Sequence, residues 1–273
     1  MIKQRLISAL ILSLGIVFII FALPNDYLIY FIVLLSCFSL AEFLGLKFSR
    51  VPTILLVCFS LVLFYLASFP AFNKTFISLS ALAYLGFFFL IISFPISKPF
   101  IQRNIVWLIS GALIHLGFFA ALYFLIKQEE PLLIYFGMDI TNRMALLIMV
   151  LISVLMDTLA FFGGKRFGRT KLLHNVSPNK TVEGFLIAMT LTPLIILVTT
   201  SNLVEKNFSQ YIILILVASF VAVIGDAVMS LFKRVVEVKD ASNLIPGHGG
   251  LLDRIDSHLA TIPIFIFTLL LFS

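Results

Sequence analysis

In a chain this apolar the residues able to do chemistry are few, and they gather near the C-terminus. Asp226 sits late in a long hydrophobic run (VIGDAVMSLFKR), and on a continuous helix Asp226, Ser230 and Lys233 share one face at i, i+4 and i+7. Beyond Lys233, Arg234 and Lys239, the turn Pro246-Gly247-His248-Gly249-Gly250 leads to Asp253-Arg254-Ile255-Asp256-Ser257. Helical continuation from Asp253 would align Asp253, Asp256 and Ser257. A glycine-rich turn lets backbone amides come close to an anion. Carboxylate oxygens suit Mg²⁺, which takes one or two of them together with substrate phosphates. Carboxylates, cations and a glycine turn are the parts that phosphoryl or nucleotidyl transfer requires.

Other candidates are weaker. Asp157 lies well inside an apolar run, where an acid is costly and usually faces a partner or a cavity; a structural ion pair with a nearby Lys or Arg is the competing reading. Gly163 to Thr170 (GGKRFGRT) nearly matches a P-loop, but Arg169 stands where Lys belongs and no strand precedes it, so it is rejected. Ser177 to Gly184 (SPNKTVEG) reads as a turn and helix start capped by Thr181, or as a second contributor to the site through Lys180 and Glu183. His115 reads as an interhelical histidine and His174 as a solvated loop residue. His248, between glycines, suits phosphate positioning or turn shape better than general-base work. Cys37 and Cys58 sit in apolar runs with no CxxC pair, so neither a disulfide framework nor a zinc site is expected.

The elements that hold these residues follow from composition. Of 273 residues, 61% are hydrophobic and 12% charged, and mean hydropathy is +1.15. Soluble domains carry roughly 25% charged residues, so water cannot be this chain's main solvent. Apolar runs of about 20 residues, the length that spans a bilayer, occur nine times: about 6–23, 28–46, 51–70, 75–96, 104–126, 143–163, 182–201, 209–232 and 258–272. The last is short and interrupted by Pro263. Residues 131–142 are too short to span and are expected at the interface. The first run is read as a retained helix, not a signal peptide.

The expected fold is all-α: a polytopic transmembrane bundle of about nine spans with a cytoplasmic N-terminus. Residues 1–127 would form a scaffold of about five spans, and 128–273 a catalytic region of about four. With the N-terminus inside, only Lys74, Lys127, Arg143 and Lys206 of the 19 basic residues fall outside, as the positive-inside rule favours. Both long polar connections, 164–181 and 233–257, then share the cytoplasmic face. The net charge of +6 reflects that topology, and no nucleic acid is expected as a partner. No 20–50-residue repeat suggests a solenoid or tandem transporter halves.

The stretch from Ser230 to Asp256 (SLFKRVVEVKDASNLIPGHGGLLDRID) resembles, position by position, the signature of the phosphatidate cytidylyltransferases. Ser, Lys-Arg, four residues, Lys-Asp, Pro-x-His-Gly-Gly and Asp-Arg-x-Asp all match. Shorter blocks at Asp157 to Gly168, Ser177 to Gly184 and Gly225-Asp226 are similar as well. Met229 departs from a frequent Glu, and Phe161 and Val182 from a Tyr and a Trp. The resemblance implies a CTP- and Mg²⁺-dependent nucleotidyltransferase that converts phosphatidate to CDP-diacylglycerol and pyrophosphate. It implies a metal centre at Asp226 and Asp253, with room for K⁺ beside Mg²⁺. Asp256 and Ser230 would support that centre, and Lys233, Arg234, Lys239 and Arg254 would bind phosphates. Asp240 and His248 complete the catalytic candidates. Asp157, Lys165, Ser177, Lys180, Glu183, Ser230, Gly249 and Gly250 are the substrate-binding ones. The expected setting is the cell inner (cytoplasmic) membrane, multi-pass, with the site facing the cytoplasm; a homodimer is a family expectation that no residue independently supports. A cytidylyltransferase for an ether lipid, a polyprenol kinase and an ion-coupled transporter using Asp157 and Asp226 are the alternatives.

Overall fold

A computed structural model describes residues 14–244 and 249–272. Helix α1 is described over residues 14–22. There follow α2 (Asn25–Gly45), α3 (Arg50–Ala67), α4 (Pro70–Ile92), the single turn α5 (Lys98–Ile101), α6 (Asn104–Lys127) and α7 (Asn142–Phe167). A hairpin of β1 (Lys171–Leu173) and β2 (Ser177–Thr181) precedes α8 (Val182–Thr200), α9 (Phe208–Val235), the short α10 (Leu252–Ile255) and α11 (His258–Phe272). Residues 131–142 contain only a 3-10 turn, Leu132–Phe136.

Eight of these helical stretches are long and apolar enough to cross a bilayer, which makes the chain a multi-pass membrane protein. In hydrocarbon every backbone polar group must be satisfied within the protein, and helices do so segment by segment. The eight coincide with the last eight runs read from the sequence. The ninth is described only from residue 14, and Lys3 and Arg5 lie outside the described residues. Pro263 does not break the last span: α11 continues through it, and the apolar stretch runs from Leu252 to Phe272.

Burial divides the bundle. The central helices α6, α11 and α9 bury 72%, 67% and 61% of their apolar stretches, whereas α3 buries 22%. The aromatic side chains at the centre, Phe43, Trp107 and Phe232, pack against one another with ring centroids 4.9–5.1 Å apart. On the outside Phe59, Tyr65, Phe89 and Phe161 are exposed, as a lipid-facing surface allows. Phe161 thus faces outward, and Met229, 1% exposed, packs in the core; the first departure lies on the surface, and the second puts a thioether at an interior position where the signature often has a carboxylate.

The all-α bundle carries one small two-stranded hairpin. Residues 164–181 are not a plain loop: Lys171 pairs with Thr181 and Leu173 with Ser177, antiparallel. Glu183 stabilises its entry by accepting from the backbone N–H groups of Arg169 and Thr170 at 3.0 and 3.1 Å. Thr181 caps α8, accepting from the Gly184 N–H at 3.2 Å. Hairpin and α9 are tied by Arg234, whose Nε donates to the Val176 carbonyl at 3.2 Å.

Candidate functional site

The C-terminal ends of α2, α7 and α9 and the N-terminal ends of α8 and α11 come to the same end of the bundle, and the site is built there. Asp226, nine residues before the end of α9, meets Lys180 from β2: Lys180 Nζ lies 2.5 Å from Asp226 Oδ2. Ser230, one turn further along α9, donates to Asp226 Oδ1 at 3.3 Å, as the i, i+4 spacing predicted. Lys233 turns instead to Asp253, with Nζ 2.5 Å from Oδ1. The hairpin therefore supplies the cation for the acid in α9, and α9 supplies the cation for the acid in α10.

The two pairs differ in exposure. The Lys180 and Asp226 side chains are 20% and 24% exposed, whereas Lys233 and Asp253 are 10% and 6%. Asp253 is also held by the backbone: its Oδ2 accepts from the N–H groups of Ala241 and Gly250 at 2.8 and 3.0 Å. Gly249 has a φ of 83°, a conformation in which a side chain is strained. That turn brings the Gly250 N–H to the carboxylate.

Asp157 and Asp256 complete an acidic group around Lys180. Asp157 on α7 accepts from Ser257 Oγ at 3.0 Å, while Asp256 is buried and its Oδ1 accepts from the Ser257 N–H at 2.9 Å. The charges of Asp157, Asp226 and Asp256 act on one another and on Lys180. Desolvation pushes the Lys180 ammonium down, but Asp226 and Asp157 outweigh it and hold its pKa above the ordinary lysine value. Lys180 therefore stays charged at neutral pH. Asp157 is exposed although it lies inside α7. A carboxylate exposed at that depth needs water or a polar ligand against it, not acyl chain.

Of the residues expected at the site, Asp157, Lys180, Asp226, Ser230, Lys233, Gly250, Asp253 and Asp256 are brought together by direct bonds or mutual charge. Asp253, Asp256 and Ser257 do not act as one face: Asp253 turns to the 241–250 turn, and Ser257 turns to Asp157. Glu183 is spent on the hairpin entry, and Arg234 on the carbonyls of Val176 and Val238. Lys165, Lys239 and Asp240 are exposed, Arg254 is exposed while its charge acts on Asp157, and Ser177 is half-buried. Pro246, Gly247 and His248 lie outside the described residues.

Sequence reasoning missed Glu42, at the end of α2, which accepts from Ser242 Oγ at 2.5 Å and from the Leu252 N–H at 2.7 Å. An acid three residues from the end of an otherwise apolar span was the available signal. Among the described residues no cluster of three or more His, Cys, Asp or Glu forms a ready metal cage. The donor set is hard oxygen with lysine counter-charges, which suits a cation that arrives with phosphates and completes its shell with them and with water.

A family model described as "Cytidylyltransferase family" matches residues 3–272. The chain is similar to a protein named phosphatidate cytidylyltransferase from Bacillus subtilis, 45% identical over 120 residues that cover 43% of this chain and 44% of that one. It is similar to proteins of the same name from Haemophilus influenzae, 37% identical over 64% of this chain and 62% of that one, and from Rickettsia typhi, 37% identical over 52% and 66%. The chain thus spans between 44% and 66% of the length of these three relatives.

Proposed function

The chain belongs to the cytidylyltransferase family, and from that premise we propose that it transfers CMP from CTP to phosphatidate, giving CDP-diacylglycerol and pyrophosphate. The observation that carries this reading is the pair of lysine–aspartate contacts, Lys180–Asp226 and Lys233–Asp253, assembled from three separate chain segments beside an exposed intramembrane acid. The names of the relatives supply the substrates.

The chemistry asks little proton transfer of the protein. A phosphatidate oxygen, already anionic at neutral pH, attacks the α-phosphorus of CTP. The bond from that phosphorus to the bridging oxygen breaks, and pyrophosphate carries the electron pair away. The obstacle is repulsion between two anions, and charge placed in a water-poor site answers it. Asp226 and Asp253 would hold Mg²⁺, with Asp157 and Asp256 adding negative potential beside it. When bound, Mg²⁺ screens the reacting phosphates and stabilises the leaving pyrophosphate. Lys180 and Lys233 are released from their carboxylates as phosphates enter, and each can then neutralise a phosphate oxygen. Asp157, exposed within its span, would mark the place where a lipid phosphate at the interface meets CTP arriving from water.

The polar end of the bundle faces the cytoplasm of the inner membrane in this reading, because nearly all the basic residues lie there. Asn243, exposed beside the site, tests it: with Cys37 and Cys58 replaced, Asn243→Cys should react with an impermeant thiol reagent from the cytoplasmic side alone. Labelling from the outside would reverse the topology. The reaction itself is tested with purified protein, labelled CTP and phosphatidate, with and without Mg²⁺. Absence of CDP-diacylglycerol under every metal condition overturns it.

A further inference from the structure

Glu42 belongs to the N-terminal helices, yet both of its carboxylate oxygens are engaged far along the chain. Oε1 accepts from Ser242 Oγ, 200 residues away, at 2.5 Å, and Oε2 from the Leu252 N–H, 210 residues away, at 2.7 Å. A Cβ on residue 250 would stand 2.8 Å from Oε2 and 3.0 Å from Oε1, so the chain passes this close to the carboxylate only because residue 250 is glycine.

The groups that bind Glu42 interleave with those that bind Asp253. Ala241 and Gly250 donate to Asp253 Oδ2, and Ser242 and Leu252, each within two residues of one of them, donate to Glu42. Hydrogen bonds to an ionised acceptor are about twice as strong as neutral ones. Two of them from the two limbs of one turn fix the distance between those limbs. The helix carrying Glu42 is itself anchored in the core, since Phe43 and Leu44 are buried.

We propose that Glu42 is a positioning residue of the reaction: it clamps the segments 241–244 and 249–252 to α2, so that the N–H groups of Ala241 and Gly250 stay aimed at Asp253. The proposal rests on the reading of Asp253 given above. Because both oxygens of Glu42 are occupied by the turn, it acts through Asp253 and not on substrate. The N-terminal helices are then part of the catalytic apparatus and not only a frame for it.

The test uses the full-length protein in micelles and compares wild type with Glu42→Ala, Glu42→Gln and Ser242→Ala. Gln keeps one acceptor oxygen and Ala none. Amide exchange in peptides containing Ala241, Gly250 and Leu252 should quicken in the order wild type, Gln, Ala, with peptides from α8 unchanged. With phosphatidate and CTP, Glu42→Ala should lower kcat about 10–100-fold and raise the Mg²⁺ concentration needed for half-maximal rate, as loss of a group supporting a metal ligand does. The KM for phosphatidate should hold, and adding Ser242→Ala to Glu42→Ala should cost nothing further. Wild-type exchange in the turn together with wild-type kcat in Glu42→Ala would overturn the proposal. Exchange that rises equally throughout the chain would also overturn it, by reducing Glu42 to a fold-stabilising residue. If wild type makes no CDP-diacylglycerol, the assigned reaction fails, and the exchange order alone decides whether Glu42 sets the turn.

Discussion

The surroundings of Asp253 and of Asp226 are built on different principles. Asp253 is gripped by backbone: two N–H groups of one turn and a nearly buried lysine account for three contacts. Among the described residues Asp226 is gripped by side chains only, Lys180 from the hairpin and Ser230 from its own helix, and its pair is more open to solvent. Backbone donors cannot swing away without unfolding the turn, whereas a lysine on a four-carbon stem can leave for a phosphate at small cost. In the proposed reaction one acid is therefore a fixed point, and the other a gate that a substrate phosphate would open by taking Lys180.

The largest effect is expected from the acids themselves. Asp226→Asn and Asp253→Asn should each lower kcat by about 10²–10³-fold or more, the scale on which a group stabilising transition-state charge contributes. They should part company in structure. Amide exchange around Ala241 and Gly250 should rise in Asp253→Asn and stay at the wild-type rate in Asp226→Asn. Equal exchange in the two variants would erase the distinction between fixed point and gate.

The lysines come next. Lys233→Met leaves the Asp253 carboxylate buried and short of its cation, and breaking one side of a buried pair costs about 3–5 kcal/mol. Chemical denaturation in mixed micelles should register a loss of that order. Lys180→Met should cost clearly less stability, because water reaches its pair, and should chiefly raise the KM for CTP. The reverse ranking would mean that the hairpin lysine, not the one on α9, holds the site together.

Much of this was legible in the sequence, and the reasons are physical. Apolar runs of spanning length identify helices directly, since hydrocarbon leaves the backbone no alternative. The 3.6-residue period placed Ser230 beside Asp226. The same period placed Lys233 on their face, but periodicity fixes a face and not which of two nearby acids wins the contact, and the direct contact goes to Asp253. The Lys171–Leu173 and Ser177–Thr181 strands are too short to leave a readable alternation. Glu42 stood out only as an acid near the end of an apolar span; its role was not legible because its partners are 200 and 210 positions away, and one of them, the Leu252 N–H, has no side-chain signature. Tertiary pairing across that distance is what one sequence withholds.

A smaller effect tests whether the gate depends on how closely its helices approach. Gly184 on α8 faces α7 so tightly that a Cβ would stand 2.5 Å from the Ala160 carbonyl and 2.8 Å from the Gly164 nitrogen. Gly184→Ala must push α8 from α7, at about 1–3 kcal/mol for overpacking. Because β2 runs straight into α8, Lys180 should move with it. The KM for CTP should rise while amide exchange around Ala241 and Gly250 keeps its wild-type rate. A variant that loosened the 241–252 turn instead would show that the two acids are mechanically coupled.

The smallest effect concerns the polar chain behind Asp157. Ser153 Oγ donates to Thr261 Oγ1 at 3.0 Å, Thr261 donates to the Ser257 carbonyl at 2.9 Å, and Ser257 Oγ donates to Asp157 at 3.0 Å. Ser153→Ala removes one buried donor but leaves Thr261 its own bond to Ser257, so the loss should be about 1 kcal/mol, measured as a small shift of the denaturation midpoint, with kcat unchanged. The loss stays local because Thr261, the middle link, keeps its second partner. If kcat falls by as much as the stability loss predicts, the chain transmits position from the α7–α11 contact to Asp157. The helix-borne acids would then be held as rigidly as Asp253, by a network of side chains where the other uses backbone.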